Sequence, residues 1–389
     1  MNIISVVGAR PNFMKIAPFV RAVEKHNAAA AGRPPRLEHI LVHTGQHYDE
    51  RMSRAFFDEL NIPRPDMDLG IGSGSHAEQV GQTMIAFEKV LRRQRPDWVV
   101  VVGDVNATCA CSLTAKKEGV RLAHIEAGLR SRDMGMPEEI NRLVTDRLAD
   151  LLFTPDELSS ANLRAEGVPE ERIRFVGNIM IDTLETHRCR AAALAVASIL
   201  AANRLNEGNG LSAPPSLDPA RPFALVTLHR PSNVDRRETL APIVRLFMEE
   251  IAIRTPIVWP IHPRARKRLE EFGLWADLLG CPGIVLLQPL GYYEMLRLNM
   301  DAAVVLTDSG GMQEECCVLG TPCLTLRWNT ERPVTLREHG GVGVLVGNEP
   351  GRIRSAYGET LKWGRQPSRP PLWDGNTADR IVAALAREA

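Results

Sequence analysis

Residues 97–128 read DWVVVVGDVNATCACSLTAKKEGVRLAHIEAG, and this stretch decides the fold. It opens on the apolar run Trp98–Val102, continues through a segment of helical length, and closes on a second run, Arg121–Ile125. Apolar runs of about five residues that do not alternate with polar ones are typical of strands buried on both faces. Two such strands with a helical segment between them predict a βαβ unit and a parallel sheet.

The same alternation of short apolar runs and amphipathic segments recurs along both halves of the chain. We therefore predict an α/β fold of two Rossmann-like, doubly wound parallel-sheet domains facing a cleft (GT-B-like). The predicted strands are Ile3–Val7, His39–His43, Trp98–Val102, Arg121–Ile125, Leu151–Phe153 and Ile173–Val176 in the first half, and Phe223–Leu228, Ile257–Ile261, Ile284–Leu287, Ala302–Leu306, Pro322–Leu326 and Val342–Val346 in the second.

The boundary between the two domains is predicted from composition. Residues 204–221 contain NEGNGLSAPPSLDPAR, whose Gly, Pro, Ser and Asn content is typical of a linker. We therefore assign 1–203 to the first domain and 222–369 to the second. Residues 370–389 follow a Pro-rich stretch and predict a final helix near Thr377–Arg387.

Composition and charge narrow the class of protein. The 389 residues include 47 Lys plus Arg and 47 Asp plus Glu, so no net charge attracts nucleic acid or an anionic membrane. The amino-terminal stretch lacks the features of a signal peptide, and the seven cysteines form no CxxC pair. We expect a cytoplasmic enzyme with reduced thiols, no structural zinc site and no membrane partner.

In the first half, charged residues follow the predicted strands. GARPNFMK after the first strand carries Arg10 and Lys15 at a helix start, which suits a phosphate or a leaving group but also a solvated helix end. Asp104 and Glu126 follow two consecutive strands. An isolated carboxylate at such a position is often only a cap, whereas several that converge on one site suit general acid–base chemistry.

PEEINR adds the acidic pair Glu138 and Glu139 at another predicted helix start. These two residues enlarge the set of carboxylates expected at the same sheet edge. The first half of the chain is therefore predicted to carry the acid–base groups.

In the second half, two strands end in His followed closely by Arg: His229 with Arg230, and His262 with Arg264. A lone histidine is usually structural. Two at successive strand ends, each near an arginine, indicate a rim that binds phosphate.

TDSGGMQEE after the strand at Ala302–Leu306 predicts an anion site. Ser309, Gly310 and Gly311 open a helix whose amides and dipole favour a diphosphate. Glu315 lies one turn further, where it could accept hydrogen bonds from a ribose diol. NTERP adds Glu331 and Arg332 to the same side.

The residues alone thus predict a two-domain enzyme acting on a nucleotide sugar. No GxGxxG or Walker pattern is present, which argues against NAD and ATP. No cluster of metal ligands is apparent in the sequence, so Arg, Lys and His side chains are expected to neutralise the diphosphate.

Ten motifs in order along the chain resemble the non-hydrolysing UDP-N-acetylglucosamine 2-epimerases. They extend from the first strand to about Gly347, nearly the whole chain. The motifs are GARPNFMKIAP, HTGQHYD, GDVNAT, HIEAGLRS, MPEEINR, VGNIMID, TLHRPSN, HPR, TDSGGMQEE and NTERP.

The resemblance implies a homodimer that interconverts UDP-N-acetylglucosamine and UDP-N-acetylmannosamine without a metal or redox cofactor. It implies elimination of UDP across C1–C2 and re-addition to the resulting glycal, and a carboxy-terminal helix that crosses back to the first domain. By match to the motifs, the catalytic residues are Asp104, Glu126, Glu138 and His229, and the UDP-sugar is bound by Arg10, Lys15, His262, Ser309, Gly310, Gly311, Glu315 and Arg332.

Because the chain departs from the family pattern at several positions, the motifs do not determine which UDP-sugar is the substrate. The chain has GDV where members often have GDT, HRPSN where they have HRxEN, and Gln46–Glu50 where many bacterial members carry the QHREM of a regulatory site. The closest alternative is a UDP-2,3-diacetamido-glucuronate 2-epimerase, whose uronate could use Arg130 or Arg132. A glycosyltransferase of the same class, a catalytically inactive UDP-sugar-binding regulator and a hydrolysing epimerase are further alternatives.

Overall fold

The computed structural model describes residues 1–8, 10–29, 36–45, 64–205 and 221–388. The chain forms two compact units, one of Met1–Thr186 with Pro371–Ala389 and the other of His187–Pro370. Most of the predicted linker 204–221 lies outside the described residues. The division between the units falls earlier, inside the helix Ile179–Ala192.

The first unit is built on a seven-stranded, all-parallel sheet. Its strand order is β3-β2-β1-β4-β5-β6-β7, with β1 hydrogen-bonded to both β2 and β4. The strands are β1 Asn2–Val7, β2 Glu38–His43, β3 Met67–Asp68, β4 Trp98–Val102, β5 Arg121–Ile125, β6 Leu151–Thr154 and β7 Ile173–Phe175.

Helices connect these strands as the crossovers of a parallel sheet require. The helix between β4 and β5 starts directly after the loop of residues 103–105, so its first turn lies at the carboxyl edge of the sheet. The helices are α1 Arg10–Ala29, α2 His76–Gln94, α3 Asn106–Lys117, α4 Pro137–Leu148, α5 Glu157–Ala165 and α6 Ile179–Ala192, with a 3₁₀ turn at Glu170–Arg172.

The second unit repeats the plan with six parallel strands. Its strand order is β10-β9-β8-β11-β12-β13. The strands are β8 Ala224–Thr227, β9 Ile257–Pro260, β10 Ile284–Leu287, β11 Val304–Thr307, β12 Cys323–Thr325 and β13 Gly343–Leu345.

The helices of the second unit include one irregular segment, a π-helical turn at Phe247–Ile251, and 3₁₀ turns at Pro333–Thr335 and Arg337–His339. The α-helices are α7 Val196–Asn203, α8 Pro231–Val234, α9 Arg237–Leu246, α10 Ala252–Arg254, α11 Pro263–Glu271, α12 Trp275–Gly280, α13 Tyr292–Asp301, α14 Gly310–Leu319 and α15 Pro350–Thr360.

The last helix, α16 Thr377–Ala386, belongs to the first unit and packs against α1. Asp182 accepts hydrogen bonds from the amides of Thr377 (3.0 Å) and Ala378 (2.7 Å) at its start. The Trp373 indole donates to the Pro155 carbonyl at 2.8 Å. These contacts hold residues after 370 on the amino-terminal unit.

The central strands are buried along their full length. All five residues of β4 are fully buried, as the uninterrupted valine run predicts for a strand covered on both faces. The prediction of two doubly wound parallel sheets is confirmed. Among the strands of the described residues, only the two-residue β3 was not predicted, because two residues carry no periodic signal. Within the described ranges, no helix is long and apolar enough to cross a membrane.

Candidate active site

Each sheet reverses its strand order once, between β1 and β4 in the first unit and between β8 and β11 in the second. Ligands of open parallel sheets bind beyond the carboxyl ends of the strands at such a point. The loops that follow these four strands contain most of the residues that the sequence singled out. Each unit thus has its own candidate site.

In the first unit, Lys15 and Glu126 form a buried ion pair. Lys15 Nζ lies 2.5 Å from Glu126 Oε2, and the two side chains are 10% and 2% exposed. The other carboxylate oxygen of Glu126 is buried and has no hydrogen-bond partner among the described residues. A buried, half-satisfied carboxylate is unusual and indicates a functional role.

The backbone of Glu126 is also unusual, with φ at 70°. A residue other than glycine in this left-handed region is strained, and such strain persists where the surroundings impose it. Glu126 directly follows β5, and its carboxylate pairs with Lys15.

The turn after β4 packs closely on this ion pair. Gly103 has φ of 68°, and a Cβ there would lie 3.3 Å from Lys15 Nζ and 3.6 Å from Glu126 Oε2. Both the backbone angle and the close approach therefore require glycine. Asp104 follows immediately, so it is fixed relative to Glu126.

Asp104 is held by an arginine from α4. Arg142 Nη1 lies 2.5 Å from Asp104 Oδ2, and the Asn141 side chain donates to the Asp104 carbonyl at 2.9 Å. Arg142 is itself 2% exposed and also pairs with Glu139. Its planar guanidinium thus bridges two carboxylates in one orientation.

The two adjacent glutamates of α4 have different environments. Glu139 is buried and accepts hydrogen bonds from the Ser131 amide and hydroxyl, the Arg132 amide and Arg142. Burial alone would raise the pKa of Glu139, but these hydrogen bonds lower it. Glu138 is partly exposed, with no hydrogen bond or ion pair found among the described residues. The acid–base assignment of Glu138 over Glu139 stays a prediction, and Glu139 has the contacts of a structural group.

The arginines considered for a uronate differ as well. Arg130 is buried and pairs with Asp146 at 2.6 Å and Glu166 at 2.7 Å. Arg132 is exposed, and its Nη2 lies 3.5 Å from the Asn162 side-chain oxygen. Arg130 is therefore already committed to two carboxylates of the first unit.

In the second unit, His229 is fixed by a fully buried aspartate. His229 Nδ1 lies 2.9 Å from Asp308 Oδ1. Asp308 also accepts from the amides of His229 and Arg230 and from the Asn233 side chain, at 2.9 to 3.1 Å. Burial alone would raise the pKa of Asp308, but the hydrogen bond and charge of His229 lower it. The His229 side chain is 38% exposed, and its predicted contact with substrate stays a prediction.

His262 lies near His229, with ring centroids 5.4 Å apart. Its Nδ1 accepts a hydrogen bond from the Arg264 amide at 3.1 Å and caps α11. Arg264 in turn pairs with Asp235 at 2.5 Å. The predicted rim thus brings two imidazoles together, while Arg264 is neutralised by an acid.

The two glycines at the amino terminus of α14 have different surroundings. Ser309 is the N-cap and makes no side-chain capping bond, so the first amides of α14 remain available. A Cβ at Gly310 would lie 2.5 Å from Arg332 Nη1 and 2.9 Å from Glu331 Oε1. A Cβ at Gly311 would meet no atom within 4 Å. Gly310 therefore faces buried charge, and Gly311 faces open space.

Arg332 lies beneath this helix terminus. Its Nε donates to Glu314 at 2.7 Å and its Nη1 donates to Glu331. Burial alone would raise the pKa of Glu331, but the charges of Arg332 and Arg327 hold it well below its usual value. The predicted direct contact of Arg332 with substrate stays a prediction, and its visible role is to support α14.

Glu315 is buried one turn into α14. Burial, together with the neighbouring Glu314 charge, raises the pKa of Glu315 from 4.5 to about 7. The carboxyl is therefore about half protonated near neutral pH in the free protein. Its predicted contact with a ribose diol stays a prediction.

The raised pKa of Glu315 predicts a specific pH dependence of stability. The folded protein holds this proton more tightly than the unfolded chain, so the free energy of unfolding falls as pH rises from about 4.5 through about 7. Between about pH 5 and pH 8, the free energy of unfolding of wild type should fall by roughly 2 to 3 kcal/mol more than that of Glu315→Gln. Urea unfolding of both proteins across this range measures the difference. Parallel curves for the two proteins would contradict the prediction.

One departure from the family pattern, GDV in place of GDT, has a physical consequence at Val105. It is the N-cap of α3, with φ −76° and ψ 166°, and makes no side-chain capping hydrogen bond. A threonine hydroxyl at an N-cap accepts from an otherwise unpaired amide of the first turn. The GDV sequence therefore leaves this helix start uncapped.

We expect Val105→Thr to raise the free energy of unfolding by about 1 kcal/mol, since it restores that cap. Denaturant unfolding is the measurement. Val105→Ala, which adds no hydroxyl, is the control and should not stabilise. A stability of the Thr variant equal to or below wild type would show that the hydroxyl does not cap α3.

Two sets of predicted residues lie outside the described residues. One is Arg10, whose side chain is not described; the other is Gln46–Glu50, where many bacterial family members carry the QHREM of a regulatory site. Among the residues that are described, no group of three or more His, Cys, Asp or Glu side chains could hold a metal ion.

Sequence reasoning missed Arg142 and Asp308, which fix Asp104 and His229. Both stand inside motifs that were recognised, MPEEINR and TDSGG, but their partners lie 38 and 79 positions away in the chain. A charged residue in a recognised motif was the available signal. The partner could be identified only once the fold was known.

Comparisons with known proteins identify a family and several similar chains. A family model described as UDP-N-acetylglucosamine 2-epimerase matches residues 29–386. A UDP-N-acetylglucosamine 2-epimerase of Methanocaldococcus jannaschii is 40% identical over 387 residues, covering 99% of each chain. A crystal structure of the M. jannaschii UDP-GlcNAc 2-epimerase in complex with UDP-GlcNAc and UDP has a TM-score of 0.86, with 40% identity and complete coverage of both chains.

A relative with a different sugar is also similar. The UDP-2,3-diacetamido-2,3-dideoxy-D-glucuronate 2-epimerase of Pseudomonas aeruginosa is 36% identical over 395 residues, covering 100% of each chain. The similarity therefore spans 2-epimerases of two different UDP-sugars.

Proposed function

Because the chain belongs to the UDP-N-acetylglucosamine 2-epimerase family, as its motifs predict, we propose that it is an isomerase that interconverts UDP-N-acetylglucosamine and UDP-N-acetylmannosamine. The observation that carries the proposal is the pairing of Lys15 with Glu126 beside Asp104 at the strand reversal of the first sheet. Acid–base carboxylates beside a cation suit a reaction in which a proton and an anionic leaving group depart from adjacent carbons.

The chemistry assigned to these groups is an elimination followed by an addition. The C1–O bond breaks and its electron pair leaves with UDP, while a carboxylate takes the C2 proton to give a glycal. UDP oxygen then bonds C1 again as a proton is delivered to the other face of C2. Two faces need two acid–base groups, and Asp104, Glu126 and Glu138 are the candidates.

Lys15 links the departure of the diphosphate to the removal of the C2 proton. In the free protein its ammonium neutralises Glu126. When a diphosphate binds Lys15, Glu126 loses part of that neutralisation and becomes a better proton acceptor. Leaving-group binding and base strength are then coupled through one side chain.

UDP binding is assigned to the second unit, and the diphosphate contacts of Arg10 and Lys15 stay predictions from the motif match. His229, oriented by Asp308, and the amides of Gly310 and Gly311 at the start of α14 suit a diphosphate. The Ser309 amide already donates to Thr307 Oγ1 at 3.0 Å. Glu315 is the candidate for the ribose diol. We also propose a homodimer, whose mass by light scattering would be twice that of one chain.

The second candidate substrate is UDP-2,3-diacetamido-2,3-dideoxy-D-glucuronate, favoured by the P. aeruginosa relative. A uronate needs a cation near C6. Arg130 is already paired with two carboxylates, which leaves Arg132 as the candidate of the two that were considered. The ion pairs of Arg130 thus remove one of the two candidate cations for a uronate, and Arg132 stays a candidate.

The test is to incubate purified protein with each UDP-sugar separately and follow the anomeric protons by NMR. We expect a UDP-N-acetylmannosamine signal to grow from UDP-N-acetylglucosamine until equilibrium. Conversion of the uronate alone would favour the second candidate. Free N-acetylmannosamine with UDP would identify a hydrolysing enzyme, and no turnover of either sugar would overturn the epimerase proposal.

A further inference from the structure

His124 is a fully buried histidine in β5 whose two ring nitrogens both face oxygen atoms. Nδ1 lies 2.6 Å from Asp146 Oδ1 in α4, and Nε2 lies 2.9 Å from the Gly103 carbonyl oxygen. A 180° flip of the ring would lose both contacts, so the contacts fix the ring orientation. This residue has no part in the acid–base or UDP-binding assignments above.

The hydrogen-bond partners of His124 determine which of its ring nitrogens carry a proton. A carbonyl oxygen only accepts, so Nε2 carries a proton. Asp146 Oδ2 accepts from Arg130 at 2.6 Å and from the Gly128 amide at 3.0 Å, as an ionised carboxylate does. An ionised Asp146 requires that Nδ1 also carry a proton.

The surrounding charges accommodate an imidazolium at this position. His124, Asp146, Arg130 and Glu166 alternate in sign along one chain of contacts, from the buried strand to a carboxylate that is 39% exposed. Beyond Gly103 lies the Lys15–Glu126 pair, which is neutral as a whole. A buried charge that is paired and hydrogen-bonded in this way is tolerated.

We infer that His124 is a buried imidazolium that positions the turn carrying Asp104 relative to Glu126. The Gly103 amide donates to the Ile125 carbonyl at 3.1 Å, and the Gly103 carbonyl accepts from His124. Both polar groups of Gly103 are thus tied to β5, one residue before Asp104. Glu126 follows His124 by two residues, so one strand fixes both carboxylates.

The protonation state is tested on wild-type protein with ¹⁵N-labelled histidine rings. His39 in the same sheet is the internal reference, since burial lowers its pKa to about 4 and its ring is neutral near neutral pH. We expect both nitrogens of His124 to be protonated and one nitrogen of His39 to be unprotonated, with His124 assigned by its loss in a variant. An unprotonated Nδ1, with the proton on Asp146, would overturn the inference. This measurement does not depend on the proposed activity.

The positioning role rests on the proposed function and is tested by a pair of variants. His124→Gln places an amide donor where Nε2 stands and retains the link to Gly103. His124→Asn places a donor where Nδ1 stands and cannot reach Gly103. We expect kcat to fall about 10- to 100-fold in the Asn variant, with KM changed by less than about threefold, and to fall much less in the Gln variant.

His39→Gln is the matched control, because it removes a histidine from the same sheet without touching the turn. It should keep wild-type kcat. Equal loss of kcat in the Asn and Gln variants would contradict the role of the Gly103 contact. If wild-type protein showed no epimerase activity, the proposed function would be wrong. The ¹⁵N NMR measurement would still test whether the His124 ring carries two protons.

Discussion

Glu126→Gln is expected to lower kcat for epimerisation by about 10³-fold, with a far smaller change in KM. Gln keeps the shape of the side chain and can still accept from Lys15, but it cannot take or deliver a proton. General acid–base groups contribute about 10²- to 10⁴-fold to a rate. The steady-state rate of UDP-N-acetylmannosamine formation, followed by NMR, is the measurement.

Glu118→Gln is the control for this experiment. Glu118 pairs with Arg92 and lies just before β5, at the amino-terminal edge of the sheet, opposite to the candidate site. It should keep wild-type activity, and both variants should remain folded by circular dichroism. A Glu126→Gln variant with more than about a tenth of wild-type kcat would remove Glu126 from the chemistry.

The second large effect is expected at the two glycines of α14. Gly310→Ala places a methyl group 2.5 Å from Arg332 Nη1 and 2.9 Å from Glu331 Oε1. Arg332 is held between Glu314 and Glu331, so it cannot swing aside without breaking a buried ion pair. We expect a loss of about 1 to 3 kcal/mol in the free energy of unfolding, measured in urea.

Gly311→Ala is the matched control, because its methyl group meets no atom within 4 Å. Its stability should equal or exceed that of wild type, since Ala favours a helix over Gly. The same methyl group lies where a diphosphate would approach the helix amides. UDP affinity by calorimetry should therefore fall at least about tenfold, a loss of about 1.4 kcal/mol in binding.

The two variants thus separate packing from binding at adjacent positions. If Gly311→Ala bound UDP as tightly as wild type, the diphosphate would not contact this helix terminus. If Gly310→Ala were as stable as wild type, the Glu331–Arg332 pair would not be rigid. Either result would require a different account of the TDSGG motif.

The fold could be predicted from sequence because its strands carry a local signal. Trp98–Val102 and Ile284–Leu287 are apolar at every position, and the structure gives the same bounds. Arg121–Ile125 also keeps its predicted bounds. The ends of the other predicted strands shift by one or two residues; β11 starts at Val304 rather than Ala302. Hydrogen bonds between neighbouring strands determine where each strand ends, and these bonds cannot be inferred from a run of apolar residues.

The site was predictable in its residues and less so in their surroundings. Asp104 and His229 follow strands, so their place at the sheet edge could be inferred. Their partners Arg142 and Asp308 could not, because each contact spans many residues of chain. The unlike environments of Glu138 and Glu139 likewise depend on the Ser131 loop, which folds back on α4.

The central claim, that a carboxylate of the first unit removes the C2 proton, is tested most directly in D₂O. Purified protein is incubated with UDP-N-acetylglucosamine, and the C2 position is followed by proton NMR. The account predicts that deuterium enters C2 of both epimers at a rate that falls with Glu126→Gln as kcat does. Formation of UDP-N-acetylmannosamine with the C2 hydrogen retained from the substrate would contradict it.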